Sequence, residues 1–382
     1  MLHFSKQEFA RRLQLAQRSI SDANLDGMLI FAQESMYWLT GYDTFGYCFF
    51  QCLVLKADGE MTLLTRSADL RQAQHTSNLK NIVIWKDGAD ANPSIDLKAL
   101  AADMGLQGKR LGVEYDCHGL TAMNGKKVDA AFDGFASLED ASPIIPRLRE
   151  VKSDEEIAYI IKASESADRA LDAAIKTTAA GVSEGEILAA MQGAIFLDDG
   201  DYAGNEFIIG SAEDALLCRY KSGRRTLSEN DQLTLEWAGA HAHYHSAMMR
   251  TLIVGEPMKE HKHHFEAAKQ ALLAVESAMQ AGNTFGDVFS AHARVMDEAG
   301  LSEHRLNACG YSLGAVFSPC WMDYPMFYEN NPQVIEPNMS LFAHMIIMDS
   351  ASGAAMCLGQ TYLTTSGAPK SLSRHPLEFI AL

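Results

Sequence analysis

No stretch of this 382-residue chain approaches the ~20 consecutive apolar residues that cross a bilayer, so a membrane-spanning helix is not expected. The opening Met1-Leu2-His3-Phe4-Ser5-Lys6-Gln7-Glu8 has no apolar core of the signal-peptide kind and reads as the approach to a helix. Positive charge is scarce: 32 Lys+Arg against 49 Asp+Glu leave a formal charge of −17. No basic stripe offsets it, which excludes nucleic acid as a partner. The seven cysteines (Cys48, Cys52, Cys117, Cys218, Cys309, Cys320, Cys357) are odd in number, scattered and never spaced C-x-x-C. That argues against a zinc finger or a disulfide framework and suits the cytoplasm. No tandem repeat of solenoid period is present. What remains is an ordinary globular mix, 47% apolar and 21% charged, with material for a large core and two to three domains.

The first third alternates helix and strand signals. Phe9, Leu13, Leu15, Ala16 and Ile20 recur on a helical period over residues 5–24, and a short apolar strand follows Gly27. Residues 48–56 and 60–65 read as strands joined through Asp58-Gly59, a hairpin-turn pair. Further strands are expected at Ile82–Trp85 and Leu111–Val113, giving an α/β domain over 1–145. Pro143 and Pro146 interrupt any helix at its end. A long helix follows to about residue 177, Gly181 breaks it, and Ser183-Glu184-Gly185-Glu186 opens another. Strands over 205–254, two helices over 259–299 and strands at 340–349 and 354–364 predict an α+β domain over 146–382.

The densest polar cluster is Leu235-Glu236-Trp237-Ala238-Gly239-Ala240-His241-Ala242-His243-Tyr244-His245. Period-2 alternation puts Glu236 on the face opposite Leu233, Leu235 and Trp237. A carboxylate on an inner sheet face costs several kcal/mol (roughly) unless paired or hydrated, so Glu236 is either a working group or a solvated one. His241, His243 and His245 would share one strand face and suit a metal ion. Gly239-Ala240 instead resembles the entry to a hairpin turn, which would splay the first histidine away and leave His245 as the pocket residue. The second histidine-rich run, Glu260 to Glu266, reads as a solvated helix start.

These features together resemble the pita-bread family of creatinases, prolidases and aminopeptidase P. Ile144-Ile145-Pro146-Arg147 through Ile157 resembles the family's interdomain linker, Gly181-Val182-Ser183-Glu184 its next helix start, and Ala247-Met248-Met249-Arg250-Thr251 the end of its Asp-x-Thr-Arg-Thr motif. The resemblance implies an N-terminal creatinase-type α/β domain and a C-terminal pita-bread catalytic domain. It also places the five metal-ligand positions of the peptidase branch on Glu236, Ala247, Tyr311, His344 and Gly359. Only Glu236 and His344 are ligand types, and two adjacent metals need bridging carboxylates, so no metal or other cofactor is expected.

Metal-free relatives, the creatinases and ectoine hydrolases, imply cleavage of a C–N bond in a small zwitterion. Arg219 falls on the creatinase acid–base histidine, while Met249 and Leu358 fall where that family holds a guanidinium. Creatine is therefore a poor fit. Glu236 followed by Ala-Gly and Tyr244-His245 is similar to the ectoine-hydrolase catalytic strand, and Thr40-Gly41-Tyr42-Asp43 to its N-terminal domain. The expected site has Glu236 as nucleophile or general base and His245 and His344 as acid–base groups. Arg219 holds a substrate carboxylate and Tyr311 a developing negative charge; the alternatives are a surface ion pair beside Lys221, Arg224 and Arg225 and a core tyrosine. Tyr42, Asp43 and Phe45 contribute from a loop across a homodimer, whereas Phe49 and Phe50 fill the core. The competing readings are a metal-dependent Xaa-Pro peptidase and a non-catalytic binding protein.

Overall fold

Polar caps set where several of the helices begin. In the computed structural model, which describes residues 2–219 and 223–382, the Ser5 hydroxyl accepts the backbone N–H of Glu8 and starts α1 (Lys6–Asp22). The chain divides into two compact units, Met1–Arg149 and Glu150–Leu382. The first continues through β1 (Gly27–Ile30), α2 (Gln33–Thr40), β2 (Cys52–Lys56), β3 (Met61–Arg66), α3 (Leu70–Thr76) and β4 (Ile82–Trp85). It closes with α4 (Pro93–Asp103), β5 (Arg110–Val113), α5 (Ala122–Phe132), β6 (Ser137–Asp140) and α6 (Ile144–Glu150). Its six strands form one sheet in the order β4-β3-β2-β1-β5-β6, antiparallel only where β2 meets β1 and β3. Gly59, at φ 93°, makes the β2–β3 turn that Asp58-Gly59 predicts.

Two local expectations change. Residues 46–48 form a 3₁₀ turn, so pairing starts at Cys52 and not at 48. Helix α6 passes over Pro146, because proline in a first turn removes only an N–H that has no helical acceptor there. The expected boundary at 145/146 falls inside this helix.

In the second unit, Ser153 with Glu156 and Ser183 with Glu186 form reciprocal capping boxes that open α7 (Asp154–Thr177) and α8 (Glu184–Phe196). Then come β7 (Ile208–Ser211), β8 (Asp231–His241), β9 (Tyr244–Val254), α9 (Lys259–Ala278), α10 (Phe285–Glu298), β10 (Ala308–Ser312) and β11 (Asp323–Tyr328). The last strands are β12 (Ser340–Asp349), β13 (Ala354–Leu363), β14 (Lys370–Ser371) and β15 (Ile380–Ala381). The sheet runs β11-β10-β12-β13-β9-β8-β7, with β14 on β13 and β15 on β9. Among the described residues no helix is long and apolar enough to cross a membrane.

The register of this sheet decides its two faces. Leu235, Arg250, Leu358 and Met345 pair in one cross-strand row. Leu358 and Met345 pack in the core formed with α9 and α10, and Trp237, on the same face of β8, donates its indole N–H to the Ala167 carbonyl of α7 at 2.9 Å. The neighbouring row, Glu236–Met249–Gly359–His344, therefore points away from the helices.

Gly239-Ala240 is not the hairpin entry. β8 continues to His241, and the turn is Ala242-His243, both at positive φ (49° and 62°). Gly239 serves a different need: a Cβ there would lie 2.0 Å from the Ala163 carbonyl oxygen of α7. Gly239→Ala is expected to push α7 off the sheet and cost at least ~2 kcal/mol in denaturant unfolding; a wild-type midpoint would refute this packing.

Candidate active site

Glu236 on β8, Met249 on β9, Gly359 on β13 and His344 on β12 lie side by side across four strands. Tyr311 on β10 pairs with Phe342, two residues from His344, so its ring joins the same face. Tyr311, Phe342 and His344 form a ring cluster with centroids 5.4–5.6 Å apart. The Tyr311 hydroxyl donates to Glu236 Oε1 at 3.2 Å and accepts the indole N–H of Trp321 at 2.8 Å. Arg250, buried beneath this row, donates through Nη1 to the carbonyls of Met249 (2.8 Å) and Gly359 (2.6 Å). It thereby bridges β9 and β13, which pair over only two residues.

Burial governs the electrostatics. Glu236 is 9% exposed, and loss of water pushes its carboxyl up to about 7, against the opposing Tyr311 hydrogen bond and Arg219 charge. The same burial, with His292 nearby, holds His344 down at about 3, so it is a neutral imidazole at working pH. Among the described residues its Nδ1 has no hydrogen-bond partner, and neither has Nδ1 of buried His292 on α10. Burial also raises Tyr311 and, with the Glu236 charge, half-buried Cys218. Arg219 is exposed, and its charge acts on both Glu236 and His344. Tyr220 and Lys221 lie outside the described residues.

The structure thus gathers Glu236, Tyr311 and His344, with Arg219 in electrostatic reach. His245 shares their sheet face but sits four residues along β9, roughly 13 Å away at ~3.3 Å per residue. It is fully buried, with Nε2 accepting the Gly204 N–H at 2.8 Å and Nδ1 3.4 Å from the Gly314 carbonyl, and burial lowers it to about 4. No nitrogen is left to move a proton. Nor do the three alternating histidines converge, because His243 stacks on Phe317 and His241 bonds Ser166 on α7. Of the second histidine run, His261 and His264 are not solvated: both are buried, His261 against Gln232 and His264 beside Asp349.

In the first unit, Tyr42 is a core residue, fully buried with its hydroxyl donating to Gln51 Oε1 at 3.2 Å. The chain turns inward after Gly41, which caps α2 at φ 81°. Asp43 is half-buried, its backbone tied to Thr76 and Gln72, whereas Phe45 is 77% exposed. Phe50 fills the core as expected; Phe49 does not, lying 48% exposed under the Arg66 guanidinium. Sequence reasoning missed Trp321, the bridging role of Arg250 within its motif, and His292, which shares the buried face of α10 with Phe285, Val288, Phe289 and Met296 and reads there as a core position.

The residues present do not fit a dinuclear metal centre. At the positions where the resemblance places ligands stand Ala247, Tyr311 and Gly359, and a Cβ at 359 would already lie 3.0 Å from the Phe342 ring. Among the described residues no group of three or more His, Cys, Asp or Glu is arranged to hold a metal ion.

Residues 12–151 match the creatinase/prolidase N-terminal domain and residues 158–366 match metallopeptidase family M24. An uncharacterised hydrolase/peptidase of Sinorhizobium fredii is 24% identical, covering 100% of this chain and 99% of that protein. The ectoine hydrolase of Halomonas elongata is 24% identical over 362 residues, 89% of each chain. The fold superposes on prolidase from Thermococcus sibiricus with a TM-score of 0.89 at 21% identity, covering 99% of this chain and 100% of that one.

The Glu236 environment is testable without any substrate. Its carboxyl ionises near 7 in the fold against an ordinary 4.5, so its contribution to stability is full below 4.5 and is lost as pH rises through 7. Glu236→Gln removes that dependence. The stability of the variant relative to wild type is expected to improve by roughly 3 kcal/mol from pH 4.5 to 8. A pH-independent difference would show that Glu236 is ordinarily solvated.

Proposed function

The chain belongs to metallopeptidase family M24 and is a hydrolase of that family; on this premise we propose that it cleaves a C–N bond in a small zwitterionic compound without a metal ion. The observation that carries the reading is the Glu236 carboxyl, buried, bonded to Tyr311 and held near 7, on a sheet face where Ala247, Met249 and Gly359 leave no second carboxylate. The likeness to an ectoine hydrolase supports a cyclic amidine, an amide or a guanidino group as the bond attacked.

In this reading Glu236 takes a proton from the attacking water, or attacks the carbon directly to form a covalent bond that water then cleaves, freeing the carboxylate. The C–N bond breaks, the carbon gains the water oxygen, and the leaving nitrogen takes up one proton. A carboxyl poised near neutrality serves both halves of that transfer, accepting as carboxylate and donating as acid. His344, held neutral, acts as a hydrogen-bonding partner of the substrate. Arg219 meets a substrate carboxylate with its planar fork. The Xaa-Pro dipeptidase reading, favoured by the prolidase fold likeness, needs ligands that these positions lack.

We also propose a homodimer, supported by Phe45 and Phe49 standing exposed on one segment, and a cytoplasmic location, which seven free cysteines suit. Sedimentation at micromolar concentration is expected to give twice the 41.9 kDa chain mass; a monomer would remove this part of the proposal.

Turnover should appear in a screen of cyclic amidines, guanidino acids, N-acyl diamino acids and Xaa-Pro dipeptides, and should survive excess chelator. Glu236→Gln should lower kcat by about 10³-fold or more with the fold intact. Hydrolysis restricted to Xaa-Pro dipeptides and abolished by chelator would replace this reading with the metallopeptidase one.

A further inference from the structure

Resting on the reading of Glu236 as the reacting carboxyl, we infer that Trp321 is a positioning residue that holds Tyr311 as a donor-only partner of Glu236. An indole N–H can only donate, so the Tyr311 oxygen must be the acceptor of the 2.8 Å bond from Trp321 Nε1. The hydroxyl has a single hydrogen, and the acceptor in reach for it is Glu236 Oε1 at 3.2 Å. The direction of the Tyr311–Glu236 bond is therefore set from outside the pair. With its oxygen already accepting, Tyr311 is a poor acceptor for a protonated Glu236 and a good donor to an ionised one. It discriminates between the two states of the carboxyl.

Trp321 is itself tightly held. It is 1% exposed, and its backbone N–H donates to Asn205 Oδ1 at 3.0 Å. The neighbouring Gly204 lies so close that a Cβ would sit 2.9 Å from the Cys320 carbonyl carbon and oxygen. The Gly204 N–H in turn donates to His245 Nε2 at 2.8 Å. This chain of contacts gives His245 a purpose that its saturated nitrogens otherwise deny it: it anchors the 204–205 segment against which Trp321 is set. Trp321 and His245, two buried groups that the hydrolytic steps do not use, are thereby joined to the carboxyl that they do.

The test reads the Glu236 carboxyl directly, by ¹³C NMR of carboxyl-labelled glutamate with the resonance assigned through Glu236→Gln. Trp321→Phe frees the Tyr311 oxygen to accept from protonated Glu236 and should raise the titration midpoint, lowering the ionisation constant roughly three- to tenfold. Tyr311→Phe should raise it as well, and the double variant should go no further than Tyr311→Phe alone. Should Trp321→Phe fail to fold, the isosteric replacement of Trp321 by benzothienylalanine removes only the N–H and must give the same shift. An unchanged midpoint in either Trp321 variant, or shifts that add in the double variant, would overturn the inference. A midpoint that moves as expected in a protein without hydrolytic turnover would leave the positioning intact and reject the proposed function instead.

Discussion

Everything at the candidate site depends on one register: the pairing that sets Glu236, Met249, Gly359 and His344 in a single row across four strands. A slip of one residue would turn all four toward the helices and bring Leu235, Arg250, Leu358 and Met345 into the site. Arg250 guards the weakest part of that row. β9 and β13 pair over two residues only, and the Arg250 guanidinium donates to a carbonyl from each. Burying that charge is costly, and its proton affinity falls to about 10. Two charge-assisted hydrogen bonds from Nη1 offset part of that cost, while Nη2 has no hydrogen-bond partner among the described residues.

The second consequence of the register is electrostatic. A carboxyl placed mid-strand between Met249 and buried rings loses most of its water, and its ionisation moves toward neutrality. Tyr311 limits that movement, and the indole beyond it sets which way the phenol donates. His344 experiences the same dry surroundings with the opposite sign and stays neutral. The lack of a second carboxylate in this row and the poising of Glu236 go together. With Ala247 and Gly359 in place, and Phe342 packed against Gly359, the sheet face holds an apolar wall where charged ligands would have kept water and cations.

Much of this was legible in the chain itself. The helix start at Ser183-Glu184-Gly185-Glu186, the Asp58-Gly59 turn and the alternation that isolates Glu236 all follow from local rules that tertiary packing did not override. Where local rules have two solutions, the reading failed. A glycine serves a tight turn or a close approach, and Gly239 proved to be the second. Histidines among charges at a helix start look solvated until a sheet end covers them, as with His261 and His264. Tyr42 looked like a loop residue, yet the chain turns back into the core directly after Gly41. Trp321 follows no periodic pattern and His292 sits on the apolar period of α10, so their meaning comes from partners distant in sequence: Asn205 and Tyr311 for the first, His344 for the second.

We propose that this sheet face works through a single poised carboxyl and holds no metal centre. Elemental analysis after equilibrium dialysis against micromolar manganese, zinc and iron tests it most directly. Far less than one ion per chain is expected at the site, with no difference between wild type and Glu236→Gln. Two ions per chain that depend on Glu236 would contradict it.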